Sequence, residues 1–129
     1  MTLQFDQFES TNDLINLLKH PSQLVVGEAA KVLGEFGATD ADVALLNVYR
    51  DAENWVKIRI LNALGKCGTH EIIPFLQQQL LQNDIDIAFE AGKALRLFGN
   101  EGIDTLKANL SSPLYGVSNI CQHLLDERI

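Results

Sequence analysis

Apolar residues recur along this chain with the spacing of one face of an α-helix. In the central segment they stand at relative positions 0, 4, 7, 8 and 11, which places them along a single stripe of a helix. The stripe consists of Val56, Ile60, Ala63, Leu64 and Cys67. The pattern predicts a helix from about Asn54 to Lys66, with this stripe facing the protein core.

The same pattern occurs three times, and corresponding residues are 31 positions apart. Three columns carry the repeat: Val25, Val56 and Ile87; Leu33, Leu64 and Leu95; Gly37, Gly68 and Gly99. A period of this length is typical of solenoid proteins, in which a helix pair buries its apolar face against the neighbouring pairs. The sequence therefore predicts a stack of helical repeats.

Each repeat contains a second apolar stripe after its glycine. The glycines Gly37, Gly68 and Gly99 are predicted to adopt a left-handed conformation that ends the first helix, helix A. The stripe of the second helix, helix B, comprises Val43, Leu45, Leu46 and Tyr49 in the first repeat, Ile72, Ile73, Leu76 and Leu80 in the second, and Ile103, Leu106 and Leu110 in the third. Pro74 suits the first helical turn, where its missing N–H is not needed.

These observations predict an all-α fold: an α-solenoid of seven to eight helices within one domain, residues 1–129. Residues 1–24 form an N-terminal partial repeat, 25–55, 56–86 and 87–116 form full repeats, and 117–129 form a C-terminal capping helix. In the partial repeat, Leu14, Ile15, Leu17 and Leu18 are assigned to a helix B.

The repeat pattern resembles the HEAT-like repeat of the phycobilisome lyase type. The resemblance rests on Leu33-Gly34 with Gly37, on Leu64-Gly65 with Gly68, and on the Ile73-Pro74-Phe75-Leu76 start of helix B. Arg96 replaces the first of the two glycines in the third repeat. The resemblance implies a right-handed superhelix of helix pairs. It leaves function open, because such proteins include bilin lyase subunits, hydroxylases and adaptors without catalytic activity.

Composition narrows the functional classes. No apolar run reaches the roughly 18 residues of a membrane span, and the first ten residues have no basic segment before an apolar stretch, so we expect a cytoplasmic protein without a signal peptide. The formal net charge of −7 argues against nonspecific nucleic-acid binding.

Candidate catalytic residues are few. His70-Glu71 resembles the His-Glu pairs that bind iron in HEAT-like hydroxylases, but a metal site needs several such pairs and the chain has one. Cys67 and Cys121 lie on apolar stripes, where packing is favoured over a nucleophile or a bilin attachment point. We predict no catalytic residues, metal ligands or cofactor.

The sequence also predicts contacts between repeats. Glu28, Arg59 and Glu90 occupy one column, so Arg59 is expected between two acids of adjacent repeats. Trp55 and Tyr115 precede helices A, where packing on the adjacent repeat is favoured over anchoring a partner.

The outward side of the B helices is the predicted binding surface. Its candidate residues are Asn47, Arg50, Asp51, Gln77, Gln78, Gln82, Lys107 and Ser111. Amides suit a peptide backbone or polar side chains, although a glutamine run is also common on a solvated helix face. We favour a noncatalytic scaffold that binds a protein or peptide. The alternative is a bilin lyase-like or chaperone subunit that acts on a tetrapyrrole or a phycobiliprotein.

Overall fold

The computed structural model describes residues 11–38, 41–114 and 116–126, whose regular secondary structure is helical with no strand. They contain eight α-helices: α1 (Thr11–Leu17), α2 (Gln23–Glu35), α3 (Asp42–Tyr49), α4 (Asn54–Cys67), α5 (Ile73–Leu80), α6 (Ile85–Arg96), α7 (Asn100–Ala108) and α8 (Val117–Asp126). The predicted all-α class is confirmed for these residues. Among them, no helix combines the length and apolar character that crossing a membrane requires.

The chain forms two compact units, Met1–Thr69 and His70–Ile129. The first contains α1 to α4. The second contains α5 to α8, preceded by a 3₁₀ turn at His70–Ile72. The boundary falls between the two helices of the repeat predicted at 56–86.

In the first unit, α2 packs along α4, while α1 packs on α2 and α3 packs on α4. Leucines fill the interior, and Leu14, Leu33, Leu45, Leu61 and Leu64 are fully buried. The α2–α4 contact is closest at Gly34: a Cβ atom there would lie 2.8 Å from the Cα atom of Ala63. Two small residues thus allow two helix backbones to approach each other.

Two of the three glycines in the repeated column have a positive φ, 62° at Gly37 and 68° at Gly99. Only Gly37 ends its helix as predicted, because Gly99 has ψ −141° and is the N-cap residue of α7. At Gly37 the helix ends in a Schellman motif, since Ala38 N–H donates to the Leu33 carbonyl at 3.2 Å and Gly37 N–H donates to the Gly34 carbonyl at 3.1 Å.

The prediction for Gly68 is wrong, because Gly68 has φ −74° and ψ 161°. The chain leaves α4 in an extended conformation there, and the Thr69 hydroxyl donates to Asp42 Oδ2 at 3.0 Å. The connection to α5 then runs through the 3₁₀ turn, which requires no left-handed residue.

In the second unit, α6 packs on α5, α7 and α8, and α7 also packs on α8. Asp84 caps α6, since its Oδ1 accepts hydrogen bonds from the backbone N–H groups of Asp86 and Ile87 at 3.0 and 3.1 Å. Arg96, which replaces a repeat glycine, donates to the Leu124 carbonyl at 3.2 Å. The residue that departs from the repeat pattern therefore bonds directly to the terminal helix α8.

One packing arrangement recurs in both units. Each predicted B helix packs on the A helix that follows it in the chain: α1 on α2, α3 on α4, α5 on α6 and α7 on α8. The amphipathic stripes of the sequence are thus buried by pairing between consecutive predicted repeats.

We predict that Gly34→Ala destabilises the protein by about 1–3 kcal/mol, because the added methyl meets the Ala63 backbone, which cannot move without separating α2 from α4. Urea unfolding followed by circular dichroism measures this loss.

Gly27→Ala is the matched control within the same helix. Its Cβ would meet Cζ3 of the Trp55 ring at 2.6 Å, and Trp55 is 39% exposed, so the ring has room to shift. We expect a loss below about 1 kcal/mol, offset in part by the higher helix propensity of alanine. Equal losses for the two variants would contradict the role assigned to the α2–α4 contact.

Candidate functional site

A groove separates α1 from α3 in the first unit, on the side of the predicted B helices. It has a volume of about 480 Å³, which lies within the roughly 300–1,000 Å³ range of ligand pockets. Its lining residues are Ile15, Leu18, Lys19, Val43, Ala44, Asn47 and Val48. We call this feature the α1–α3 groove. Apolar side chains form most of its walls, and Leu18 is buried at 2% exposure.

The groove continues toward the C-terminal ends of both helices as a smaller, more polar pocket of about 220 Å³. Four residues line both parts: Leu18, Lys19, Asn47 and Val48. The smaller part is also lined by His20, Gln23, Val26 and Asp51. One end of the groove is thus apolar and the other is polar, with Lys19 and Asn47 common to both.

All eight predicted binding residues are exposed. In the first unit, Asn47 lies on α3 and lines both parts of the groove, Asp51 lines the smaller part, and Arg50 directly follows α3 without lining either part. The structure therefore brings Asn47 and Asp51 together at one feature.

The other five predicted residues belong to the second unit. Gln77 and Gln78 lie on α5, Gln82 follows it, Lys107 lies on α7 and Ser111 follows α7. The Gln82 side-chain amide donates to the Gln78 backbone carbonyl at 3.2 Å. None of the five lines the grooves described in this section.

The sequence pattern did not indicate Ile15, Lys19 and Val43 as groove residues. Val43 was assigned to the buried stripe of helix B, which is wrong, because its exposure is 64%. Val43 and the fully buried Leu45 are two positions apart, so they cannot share a helix face. The spacing from Val43 to Asn47, four positions on one face, was the available signal.

A second groove lies between α6 and α8 in the second unit, with a volume of about 350 Å³. Its lining residues are Ile85, Asp86, Phe89, Gly116, Asn119, Ile120 and His123. The Phe89 ring already has neighbours, since the Lys93 ammonium lies 5.6 Å and the His123 ring 6.0 Å from its centroid. Asp86 contributes a negative charge to the lining, in contrast with Lys19 in the α1–α3 groove.

Ionisable residues singled out from the sequence form ion pairs within each unit. Glu28 accepts a hydrogen bond from the Arg59 guanidinium at 2.8 Å, and this bond lowers the pKa of the Glu28 carboxyl. The predicted contact of Arg59 with Glu28 is thus present, whereas its position beside Glu90 stays a prediction. Glu90 lies 3.2 Å from Lys93 of its own helix.

His70 contacts Glu101, which is not the residue considered with it for metal binding, Glu71. Its Nδ1 lies 2.8 Å from Oε2 of Glu101, and its ring packs edge-on against Phe98 at 5.5 Å. In the described ranges, no three His, Cys, Asp or Glu side chains are grouped as metal ligands would be.

Trp55 packs against Gly27, with the Arg59 guanidinium 5.4 Å from its ring centroid. This is the packing role that the sequence favoured for Trp55. Tyr115 lies outside the described residues.

Both cysteines are buried, at 1% and 0% exposure for Cys67 and Cys121. Burial raises the pKa of each thiol to about 11, and the Asp42 carboxylate adds to the rise at Cys67. Thiolate is the nucleophilic form, so both groups are poor nucleophiles near neutral pH.

No protein-family model matches the chain, and no curated protein matches it.

We predict that both thiols resist an aromatic disulfide reagent at pH 8 in the folded protein and react fully in denaturant, as followed by absorbance. The pKa of about 11 exceeds the ordinary value of 9.0, so the folded state retains its thiol protons more strongly. The stronger retention of these protons favours the folded state: its contribution to the free energy of unfolding is complete below about pH 9 and is lost as the pH rises toward 11. Rapid labelling of either cysteine under native conditions would contradict the buried assignment.

Proposed function

We propose that this chain is an α-solenoid of HEAT-like repeats that serves as a noncatalytic scaffold and binds a protein or peptide on its B-helix side. The 31-residue period and the repeated packing of each B helix on the next A helix support the repeat class. The α1–α3 groove carries the functional proposal, because it is an apolar depression between two predicted B helices with exposed polar residues beside it.

The chemistry of the groove favours binding over catalysis. Ile15, Val43 and Val48 leave apolar surface partly exposed, and a partner gains free energy by covering it. The groove has no paired carboxylates or nucleophile–base pair among its lining residues. An amphipathic helix or an apolar segment laid between two helices is a common mode of peptide recognition.

We predict that Val43→Asp abolishes capture of the protein partner from an extract of the source cell. The charge would stand in the apolar part of the groove, while the 64% exposure of Val43 keeps the thermal midpoint within a few degrees. Affinity capture with mass spectrometry identifies the partner, and scanning fluorimetry checks the fold.

Leu97→Asp is the matched control, because Leu97 is 58% exposed and lines none of the grooves described above. It should retain the partner. Equal capture by the wild type and Val43→Asp would refute the groove as the binding site.

The wider B-helix row has its own test. A double variant, Arg50→Glu with Gln78→Glu, should weaken capture if the partner extends beyond the groove, since both side chains are exposed. The control is Lys31→Glu with Lys66→Glu, at exposed positions on the predicted A helices α2 and α4. Loss of capture in the control and not in the B-helix variant would place the interface on the A-helix side.

A further inference from the structure

Among the residues that the structure describes, Lys19 is the one charged residue that lines the larger part of the α1–α3 groove, and it also lines the smaller part. A molecule that fills the groove therefore passes over Lys19 in either part. Asn47 also lines both parts of the groove, and its side-chain amide can donate as well as accept hydrogen bonds.

The Lys19 ammonium and the Asn47 side-chain amide have no polar partner among the residues that the structure describes. The Lys19 ammonium forms no ion pair, and the Asn47 side chain forms no hydrogen bond, with residues 11–38, 41–114 or 116–126. Covering an ammonium with apolar groups alone is costly, because the ion loses its water without gaining a partner. The occupant of the groove must therefore supply an acceptor, and a carboxylate is the acceptor that best matches a lysine.

We propose that the α1–α3 groove binds a protein segment that places aliphatic side chains on Ile15 and Val43 and one carboxylate beside Lys19 and Asn47. This inference rests on the scaffold function proposed above and specifies the chemistry of the partner. Within α3 the groove wall runs from Val43 to Val48, about 7.5 Å at the roughly 1.5 Å rise per residue of a helix. Such a length lies alongside between one and two turns of a helical segment.

The groove disfavours the opposite charge pattern. A segment with a lysine or arginine at this position would hold two cations together in a partly desolvated site, which is repulsive. The α6–α8 groove of the second unit has the reverse sign, since its lining contains Asp86. In the α1–α3 groove the carboxylate of Asp51 lines only the smaller part, whereas Lys19 also lines the larger, apolar part. The selectivity for a carboxylate is thus a property of the larger part of the α1–α3 groove and not of every apolar depression in the chain.

The test uses three synthetic fluorescein-labelled amphipathic peptides of about 15 residues, since shorter helices are only marginally stable in water. They share a leucine-rich face with capped ends and differ only at one flanking position, which holds glutamate, glutamine or lysine. Fluorescence anisotropy against the full chain gives the three affinities. We expect the glutamate peptide to bind roughly tenfold more tightly than the lysine peptide, with glutamine between them.

Variants of the protein connect this preference to Lys19. Lys19→Gln should remove most of the preference, and Lys19→Glu should reverse its order. Lys31→Glu is the matched control: it makes the same charge change at an exposed position of α2 that lines no part of the groove, so the preference for glutamate should persist. Circular dichroism verifies that each variant is folded.

The inference is overturned if the wild type binds the three peptides equally or not at all, or if the preference survives Lys19→Glu. Its failure is distinguishable from failure of the scaffold proposal. Peptides that bind equally, together with a Val43→Asp variant that loses its captured partner, would refute the carboxylate and retain the scaffold. A preference that depends on Lys19, with capture unaffected by Val43→Asp, would support the carboxylate site and refute the groove as the site of that captured partner.

Discussion

The close approach of α2 and α4 is the constraint on which the first unit depends. Gly34 and Ala63 bring the two backbones together, and the Glu28–Arg59 pair bridges the same two helices at 2.8 Å. Because α1 packs on α2 and α3 packs on α4, the spacing of the inner pair also sets the distance between α1 and α3. The width of the α1–α3 groove is therefore determined by small residues that lie outside it.

Periodicity predicted the helices well, because burial of an apolar stripe dominates helix formation in a protein core. The helix expected from about Asn54 to Lys66 is observed as Asn54–Cys67. Details of the connections were less predictable. Gly68 occupies the same column as Gly37, yet a hydrogen bond between Thr69 and Asp42, distant in the sequence, accompanies a different exit from the helix.

The lining of the α1–α3 groove was only partly predictable for a related physical reason. Polarity selected Asn47 and Asp51, which line it, since exposed positions favour polar residues. It could not identify Val43, because an apolar residue on a helix reads as core until the neighbouring helix is placed. The depression between α1 and α3 arises from the positions of two helices, and Lys19 gains its significance only from lining it.

The net charge of −7 repels an acidic partner, but this repulsion and the proposed contact at Lys19 act over different distances. Repulsion from the whole protein operates through water and is screened beyond about 8 Å at physiological ionic strength. The proposed contact at Lys19 acts within hydrogen-bond range, in a groove whose apolar walls exclude part of the water and so reduce screening. Long-range repulsion mainly slows association with acidic proteins in general, whereas the groove contact slows dissociation of the one that fits. A negatively charged protein can thus reject nonspecific acidic proteins and still retain a partner of the proposed kind, which carries its carboxylate at the correct distance from an apolar face.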